Sequence, residues 1–559
     1  MTRKKPNIII FNPDQMRRDA LHHLGNPAAI TPFLDSFAQT EAVSFRNAFC
    51  QNPVCVPSRC SFMSGLYPHV GGHRTMGHLL HTQETSLLKE LKEDGYYVWS
   101  NARNDLVAEQ IPGQIASHVT ELYYGGNAEP APGPVHEHIR GGRGDKNFYS
   151  FYTGELKLDE HGRNYNGDDE DLDAAIERIL HPVDERPLCL FLGTMYPHPP
   201  YQIEEPYFSA IDRTLLPDRI RAEDTRGKAL ILELIRTYQN MQTYTEDDWK
   251  ELRAVYLGMC MKIDSQFQRL CDALKEADIY DNSAIFFFSD HGDYTGDYGL
   301  TEKTQNTFED CLTNVPFLVK PPKGYELDCG VTDSLIELVD FYATALDFAG
   351  TSPAHDHFGK SLVPVIADRQ KQIRSFVCCE GGRRADEIQC REGANPADEG
   401  RGRDIIYWPR YAAQWNDDAH AKGAMIRSDT YKYVYRSNGA SEFYDLKLDP
   451  GETVNLVDKP EYQAVIGQMT ASLLSWYQDT CDIVPRTTDE RFSRQMVWEK
   501  VKRLCPAGYE EDVRSRIEHG MGLFPAQEYC RQLRKQQETN SAKNNKKKKE
   551  NPYENFYGT

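Results

Sequence analysis

Short runs of consecutive apolar residues alternate with amphipathic segments along much of the chain. The runs begin at Asn7 (NIIIF), Tyr96 (YYVWS), Leu188 (LCLFLGTM) and Ser283 (SAIFFFSD). Each has the length and composition of a strand that is buried on both faces. The segments between them, such as SLLKELKEDG from Ser86, carry apolar residues at helical spacing. Strands that alternate with helices predict an α/β fold with a large, mostly parallel sheet flanked by helices.

Polar side chains follow these runs where the predicted strands end. Asp14 comes after the first run, His198 after the third and Asp290 after the fourth. Ligands of open α/β sheets bind beyond the carboxyl ends of the strands. The sequence therefore predicts one site at that edge of the sheet.

Two changes of composition suggest how the chain is divided. Residues 120–180 are rich in Gly, Pro, Asn and Asp, which is typical of a long surface insertion near a site mouth. After about residue 370 a polar loop precedes a pattern of antiparallel strands with turns at residues 437–439 and 449–451. We predict a larger α/β domain over 1–370, which holds the predicted site, a smaller α+β domain with an antiparallel sheet over 371–535, and a lysine-rich tail over 536–559. The tail is expected to be disordered or, as the alternative, to contact a partner.

Composition and charge narrow the function classes. The chain has 559 residues, a hydrophobic share of 40%, a charged share of 26% and a formal net charge of −20. These values are typical of a globular protein, and the negative field argues against a general binder of nucleic acid or anionic membranes. An anionic substrate would therefore need a local cationic pocket.

The N-terminal segment MTRKKPNIIIF has a basic start but too short an apolar run for a secretory signal, and no stretch approaches the length of a membrane span. We expect a cytoplasmic protein. Most of the 14 cysteines are then expected to be buried thiols.

Three cysteines lie close together at Cys50, Cys55 and Cys60. Their five-residue spacing differs from that of zinc fingers, and no CxxC pair is present to close a metal loop. The expected compartment disfavours a disulfide. These arguments leave a reactive residue as the preferred interpretation.

The segment CVPSR from Cys55 resembles the C-x-P-S-R signature of sulfatases, and MSGLYPH from Met63 continues the match. In that family a dedicated maturation enzyme oxidises the cysteine to formylglycine, whose hydrated aldehyde is the nucleophile. The resemblance implies an alkaline-phosphatase-like fold, Cys55 as the nucleophile precursor and Arg59 as a contact to the hydrate or the sulfate. It also makes Cys50 and Cys60 structural.

Asp14 and Gln15 follow the first apolar run. Carboxylate and amide oxygens suit Ca²⁺ or Mg²⁺, although such a pair alone is equally typical of a turn. Sulfatases usually have two adjacent Asp residues here, and the Asp-Gln variant resembles the choline-sulfatase and phosphonate monoester hydrolase branches. The resemblance implies that Asp290 and His291 of the SDHG block complete the metal site with Cys55; many members have Asn where His291 stands. Ca²⁺ is the preferred ion and Mg²⁺ the alternative.

Other matched segments supply residues for catalysis. The resemblance places Lys303 at the sulfate and leaving oxygen, and His198 of MYPHPPY near the leaving group as a proton donor. The weakest match lies where most sulfatases have G-K-x-H, because this chain has Arg103 and Asp105 at the two functional places. Arginine can replace lysine as an anion binder. Asp105 is interpreted as a substitute base, or as the partner of a salt bridge to Arg103 or Arg74.

The resemblance predicts hydrolysis of sulfate monoesters, on glycan fragments that contain uronate or amino sugars. Alternatives are a phosphonate or phosphodiester hydrolase of the same superfamily, an aryl or steroid sulfatase, and a binding protein with an inactive site. Residues 120–180 and 375–420 are the predicted specificity loops. Within the second, Arg383 and Arg384 either bind another anionic group or belong to a solvated loop.

Overall fold

The computed structural model describes residues 5–108, 113–125, 137–158, 164–393, 401–485 and 491–550. Contacts divide the chain into two compact units, Met1–Val484 and Pro485–Thr559. The predicted boundary near residue 370 falls inside the first unit.

The strands of the first unit are β1 (Asn7–Asp14), β2 (Val43–Phe49), β3 (Tyr97–Asn101), β4 (Glu121–Tyr123), β5 (Tyr152–Leu156), β6 (Leu188–Pro197), β7 (Tyr201–Glu204), β8 (Ser283–Phe288), β9 (Asn314–Val315), β10 (Phe317–Lys320), β11 (Gly330–Glu337), β12 (Val377–Gly381), β13 (Gly423–Arg427), β14 (Tyr431–Arg436) and β15 (Glu442–Asp445).

Its helices are α1 (Pro32–Thr40), α2 (Cys55–Ser64), α3 (Pro68–Gly71), α4 (Leu87–Glu93), α5 (Glu137–Arg140), α6 (Gly167–Leu180), α7 (Tyr207–Ala210), α8 (Leu230–Gln239), α9 (Glu246–Glu276), α10 (Asp310–Thr313), α11 (Val339–Ala349), α12 (Val363–Ala367), α13 (Trp408–Gln414) and α14 (Gln463–Thr480).

Most of these strands form one large mixed sheet. Among the described residues its order is β11-β2-β10-β8-β1-β6-β3-β4, with β9 paired to β2. β1 runs parallel to β6 and β8, and β3 runs parallel to β6, whereas β10 is antiparallel to both of its neighbours. The predicted mostly parallel α/β sheet is confirmed, and it brings the ends of β1, β3, β6 and β8 to one edge.

The apolar run of β1 lies at the centre of the molecule because helices cover both sheet faces. Ile9 and Phe11 belong to one hydrophobic core, and Ile8 and Ile10 belong to the other. All four are fully buried. Alternate residues of a strand point to opposite faces, so one run supplies both cores. The long helix α9 packs on the first face, with Phe267 against Phe11.

A second, antiparallel sheet has the order β12-β13-β14-β15. It confirms the predicted strands after residue 420, and helix α14 packs on it through Met469 and Trp476. This sheet belongs to the first compact unit.

Part of the stretch 120–180, which was predicted to be a surface insertion, belongs to the sheet and the hydrophobic core. β4 joins the edge of the large sheet, and α6 buries Leu172 and Ala175 completely. The first turn of α6 is acidic, so the helix is difficult to recognise in the sequence. This turn forms a capping box with Asn166 and Asp169. Residues 126–136 and 159–163 of this stretch lie outside the described part.

The second unit contains α15 (Arg494–Val501), α16 (Glu510–Glu518) and α17 (Leu523–Glu550), which share a small core around Val513 and Cys530. The lysine run that was expected to be disordered lies within α17 up to Glu550. Residues 551–559 of the predicted tail lie outside the described part. Among the described residues, no helix has both the length and the hydropathy needed to cross a membrane.

Candidate active site

Four strands of the large sheet carry site residues at one edge. Asp14 is the last residue of β1, and Asp290 follows β8 after one residue. His198 directly follows β6, and Arg103 follows β3. Because these strands are parallel, their polar extensions meet, as the sequence predicts.

The cysteine of the signature opens helix α2 at this edge. Val54 has an extended backbone and Cys55 is the first residue of the helix. Cys55 Sγ lies 3.2 Å from His291 Nε2 and 3.6 Å from Asp14 Oδ1. Arg59, one helical turn later, lies on the same side of α2. The helix thus directs residue 55 and a guanidinium into the same site.

Four buried side chains form a group that suits a metal ion. The ligand atoms of Asp14, Cys55, Asp290 and His291 all lie within 4.8 Å of one another. His291 Nδ1 lies 3.0 Å from the Gly292 carbonyl oxygen. Because a carbonyl only accepts, Nδ1 carries the proton and Nε2 presents a lone pair to the group. Two carboxylates and an imidazole nitrogen without a proton fit a divalent cation.

Gln15 adds an amide oxygen beside this group. Its backbone is in the left-handed region, with φ of 70°, and its N–H donates to Asp290 Oδ1 at 3.1 Å. Its Oε1 accepts from Lys303 Nζ at 2.7 Å. The structure therefore brings all five predicted metal-site residues to one place, and their role as ligands remains a prediction.

Two arginines compensate the buried carboxylates. Arg59 donates to Asp14 Oδ2 at 3.0 Å and to Asp290 Oδ2 at 2.9 Å, and Arg103 donates to Asp14 Oδ2 at 3.0 Å. Although burial opposes ionisation, the charges of Arg59 and Arg103 hold the pKa of Asp14 far below its usual range. Asp14 is therefore ionised. The side chain of Arg103 keeps 28% exposure, so it can also meet an anion from solvent.

Gly193 of β6 makes room for this arrangement. A Cβ at this position would lie 2.6 Å from the Arg103 carbonyl oxygen and 3.2 Å from an Arg59 Nη atom. Arg59 itself donates to that carbonyl at 3.1 Å. Glycine at 193 thus allows the loop after β3 to approach the arginine of α2.

The thiol of Cys55 is unsuited to act as a nucleophile by itself. Burial and the neighbouring Asp14 carboxylate raise the pKa of the Cys55 thiol well above its usual value. The thiolate is the reactive form of cysteine. The environment therefore keeps Cys55 protonated.

Lys303 and His198 provide the remaining polar atoms. Lys303 Nζ lies 2.9 Å from Glu302 Oε1. Burial opposes the charge of Lys303, yet the carboxylates of Glu302 and Asp14 raise its pKa above the usual range. His198 Nδ1 lies 2.6 Å from the Pro199 carbonyl oxygen, so Nδ1 carries the proton. Burial, Lys303 and Arg103 lower the pKa of His198 well below 6.5. Its imidazole is therefore neutral in the free protein.

The family model named Sulfatase matches residues 6–351, more than half of the chain. The chain belongs to the sulfatase family. The resemblance of the CVPSR segment is thereby confirmed, and this sulfatase is a hydrolase of the sulfuric ester class.

The chain aligns with most of the length of several curated relatives. The chain is 26% identical to the multifunctional alkaline phosphatase superfamily protein PehA of Trinickia caryophylli, over 85% of this chain and 95% of that one. It is 24% identical to an arylsulfatase of Clostridium perfringens, over 84% and 94%. It is 23% identical to the N-acetylglucosamine-6-O-sulfatase of Bacteroides thetaiotaomicron, over 85% and 87%.

Solved structures share the fold. The phosphonate monoester hydrolase of Agrobacterium radiobacter has a TM-score of 0.64 at 20% identity, covering 85% of this chain and 96% of its own. BT4656, solved with its substrate D-glucosamine-2-N,6-O-disulfate, has a TM-score of 0.63 at 18% identity, covering 87% and 100%. The alkaline-phosphatase-like architecture of this sulfatase is thereby confirmed.

The neighbours of Asp105 in this sulfatase bear on its two interpretations. Arg103 pairs with Asp14, and Arg74 pairs with Glu387 at 2.6 Å. The two arginines considered as salt-bridge partners of Asp105 are thus engaged with other carboxylates. Asp105 is partly exposed, and its charge raises the pKa of Arg103 after the larger effects of burial, Asp14 and Arg59. A role as a base remains a prediction.

The two arginines of the predicted specificity loop already have carboxylate partners. Arg383 is buried and donates to Asp417 at 2.7 Å, and Arg384 is exposed and donates to Asp386 at 2.9 Å. Both guanidiniums are therefore paired with carboxylates of this chain, and binding of an anionic group of the substrate by either arginine remains a prediction. Residues 394–400 of this loop lie outside the described part.

Three site residues were not singled out from the sequence. Asp293 accepts from Gln15 Nε2 at 2.5 Å, Glu302 contacts Lys303, and Asp168 accepts from the backbone N–H of Met195 at 2.6 Å. Asp293 follows His291 by two residues and Glu302 precedes Lys303, so proximity to a predicted site residue was their available signal. Asp168 lay within the stretch expected to be an insertion.

Proposed function

We propose that this sulfatase hydrolyses sulfate monoesters, with residue 55 matured to formylglycine and a divalent cation at the buried acidic group. The observation that carries the proposal is the meeting of Cys55, the first residue of α2, with Asp14, Asp290 and His291 within 4.8 Å. A maturation enzyme that recognises the CVPSR segment is a required partner.

The metal would be held by Asp14, Gln15, Asp290 and His291, together with the group at position 55. Oxygen-rich donor sets of this kind suit Ca²⁺, with Mg²⁺ as the alternative. When bound, the ion would polarise the sulfate and lower the pKa of a hydroxyl beside it. The two buried carboxylates and the lone pair of His291 Nε2 fit such an ion.

Formylglycine at position 55 would supply, as an aldehyde hydrate, one hydroxyl that attacks sulfur and a second whose deprotonation releases sulfate. The thiol of Cys55 is a weak nucleophile in its present environment, because its pKa is raised by burial and by Asp14, and its side chain has no second hydroxyl. This contrast supports conversion of the cysteine.

The cationic side chains bind the anion. Arg103, partly exposed, and Lys303 are placed to take up negative charge that grows on the sulfate oxygens in the transition state. Arg59 is fully buried between Asp14 and Asp290 and keeps these carboxylates in place. Together they provide the local cationic pocket that a chain of charge −20 needs.

His198 is the proposed proton donor to the leaving alcohol. Its Nδ1 is fixed by the Pro199 carbonyl, so Nε2 is the atom free to exchange a proton. Lys303 and Arg103 disfavour the imidazolium in the free protein. An anionic substrate offsets these positive charges, which favours protonation of His198 in the complex.

Sulfated glycan fragments are the proposed substrates. Support comes from the relatives: one is named as an N-acetylglucosamine-6-O-sulfatase, and one neighbouring structure holds D-glucosamine-2-N,6-O-disulfate. With the predicted cytoplasmic location, such substrates would be imported oligosaccharides. Aryl sulfates are the alternative within the same reaction class, since another relative is named as an arylsulfatase.

Hydrolysis of phosphonate monoesters or phosphodiesters is the second candidate function. Gln15 favours it, because the Asp14-Gln15 pair resembles the phosphonate monoester hydrolase branch. A phosphonate monoester hydrolase is also among the neighbouring structures.

Comparison of esters tests the proposal. The protein, produced together with a formylglycine-forming enzyme, is assayed with 4-nitrophenyl sulfate, glucosamine 6-sulfate and 4-nitrophenyl phenylphosphonate. We expect the highest kcat/KM on a sulfate ester, and its abolition in Cys55→Ala. A higher kcat/KM on the phosphonate would establish the second candidate, and full turnover by Cys55→Ala would overturn both.

A further inference from the structure

A closed ring of hydrogen bonds joins Gln15 to the loop that carries Lys303. Lys303 Nζ donates to Gln15 Oε1 at 2.7 Å, and Gln15 Nε2 donates to Asp293 Oδ2 at 2.5 Å. The Tyr201 hydroxyl donates to the Asp293 carboxylate, 2.8 Å from Oδ1 and 2.9 Å from Oδ2, and accepts from the Glu302 backbone N–H at 2.9 Å. The peptide bond between Glu302 and Lys303 closes the ring.

The chemistry of the ring members fixes the direction of every bond. The ammonium of Lys303 and the backbone N–H of Glu302 can only donate. Tyr201 therefore uses its oxygen toward Glu302 and gives its proton to Asp293. Gln15 must turn its oxygen to Lys303 and its NH₂ group to Asp293. The side chains of Gln15, Asp293 and Tyr201 are fully buried, so water does not compete for these bonds.

The backbone of Gln15 is held independently of its side chain. Its carbonyl accepts from the Tyr256 hydroxyl at 2.9 Å, and its N–H donates to Asp290. The orientation of the carboxamide, oxygen or NH₂ toward the site, is thus a separate degree of freedom. An NH₂ group cannot bind a cation, so this orientation decides whether Gln15 is a ligand.

We infer that Asp293 is a positioning residue that turns the Gln15 carboxamide so that Oε1 faces Lys303 and the proposed metal ion. The inference rests on the proposed metal site. Partners of this kind orient the ligands of metal sites in proteins, and their loss costs about 10- to 100-fold in metal affinity.

The hydrogen bonds of Asp293 show which substitution tests its positioning role. Oδ1 accepts from the Thr295 backbone N–H at 2.6 Å and from Tyr201 at 2.8 Å, whereas Oδ2 accepts from Gln15. In Asp293→Asn the amide oxygen can replace Oδ1, and its NH₂ group then occupies the place of Oδ2. Two NH₂ groups would then face each other. If Gln15 turns its oxygen to residue 293, its NH₂ group faces Lys303 and the site, so no orientation of the carboxamide keeps both hydrogen bonds.

A second substitution reverses this effect. In the double variant Gln15→Glu with Asp293→Asn, the NH₂ group of residue 293 can donate to one carboxylate oxygen of residue 15. The other oxygen then faces Lys303 and the site. The pair keeps its total charge, so the double variant restores the donor and acceptor order.

The test is calorimetric titration of CaCl₂ into the metal-stripped full-length protein, repeated with MgCl₂. We expect Asp293→Asn to bind the ion at least about 10-fold more weakly than the wild type, and the double variant to recover affinity. Asp264→Asn is the matched control: Asp264 is a buried carboxylate that accepts from the N–H groups of Phe33 and Leu34. Its affinity should equal that of the wild type.

Each outcome bears on one claim. Equal affinity of Asp293→Asn and the wild type, or a double variant that binds no better than the single variant, would overturn the positioning role. If Asp293→Asn does not fold, as judged by circular dichroism, the double variant alone decides: it should fold and bind, and failure to do either contradicts the inference. Absence of Ca²⁺ and Mg²⁺ binding by the folded wild type would instead refute the proposed metal site.

Discussion

Arg59 and Asp14 form an ion pair that is completely withdrawn from solvent. The Arg59 Nη2 to Asp14 Oδ2 distance is 3.0 Å, and both side chains have 0% exposure. The same guanidinium reaches Asp290 Oδ2 through Nε at 2.9 Å. One arginine of the CVPSR segment thus joins the ends of β1 and β8, so the signature is a structural feature as well as a chemical one.

Replacement of Arg59 by Ala should destabilise the protein strongly. It leaves Asp14 and Asp290 as buried carboxylates without this partner, and loss of one member of a buried pair costs about 3–5 kcal/mol. Urea unfolding of metal-free protein measures the loss. Added CaCl₂ should restore part of it, because the ion compensates the same charges. A loss below about 1 kcal/mol, the range of exposed pairs, would contradict this account.

Lys303→Ala should lower kcat on a sulfate ester by about 10²- to 10³-fold, the cost of removing one preorganised donor to a developing negative charge. Lys320→Ala is the control. Lys320 is also buried, but its Nζ donates to the backbone carbonyls of Tyr280 and Ser283. It should lower the melting temperature and leave kcat unchanged. Equal kcat losses in both variants would show that the effect of Lys303 is structural.

Asp105→Asn tests the residue that replaces the histidine of the G-K-x-H arrangement. If Asp105 accepts a proton when sulfate leaves, the variant should lose about 10²-fold or more in kcat, as expected for a general base, with an unchanged melting temperature. Single-turnover kinetics should show that leaving-alcohol release stays fast while the second step slows. An unchanged kcat would remove Asp105 from the mechanism.

Asp264 gives a pH-dependent prediction away from the site. Burial raises the pKa of Asp264 to about 6, although the Leu34 and Phe33 N–H groups lower it. Between about pH 4 and pH 6 the folded state retains a proton that the unfolded state releases, so stability from this group falls as pH rises. The free energy of unfolding of the wild type minus that of Asp264→Asn should decrease over this window by up to about 3 kcal/mol. A constant difference would contradict the raised pKa.

The sequence predicts the sheet and the site location well for a physical reason. The runs at Asn7 and Ser283 are apolar on both faces, a pattern that suits central strands. Their polar extensions, Asp14 and Asp290, then meet because parallel strands share one edge. Helix α6 could not be recognised in the same way, since its acidic first turn gains its hydrogen bonds and its Lys262 partner only in the folded state.

The finer chemistry depends on contacts between distant segments. The tautomer of His291 is set by the Gly292 carbonyl, and the carboxamide orientation of Gln15 is set by Asp293 and Lys303. The two partners of the Gln15 carboxamide lie more than 270 positions away in the chain, beyond the reach of local patterns. Contacts between distant segments also change the interpretation of Arg383. The sequence offers it as a binding residue for an anionic group, whereas in the structure it is buried and paired with Asp417.

Mass spectrometry of the tryptic peptide 47–59, NAFCQNPVCVPSR, tests the central claim most directly. The peptide contains both Cys50 and Cys55, so Cys50 serves as an internal reference for alkylation. In protein from its natural source the account predicts an alkylated Cys50 and, at position 55, an aldehyde that reacts with a hydrazide. A peptide alkylated at both cysteines, in protein that hydrolyses sulfate esters, would contradict the formylglycine mechanism.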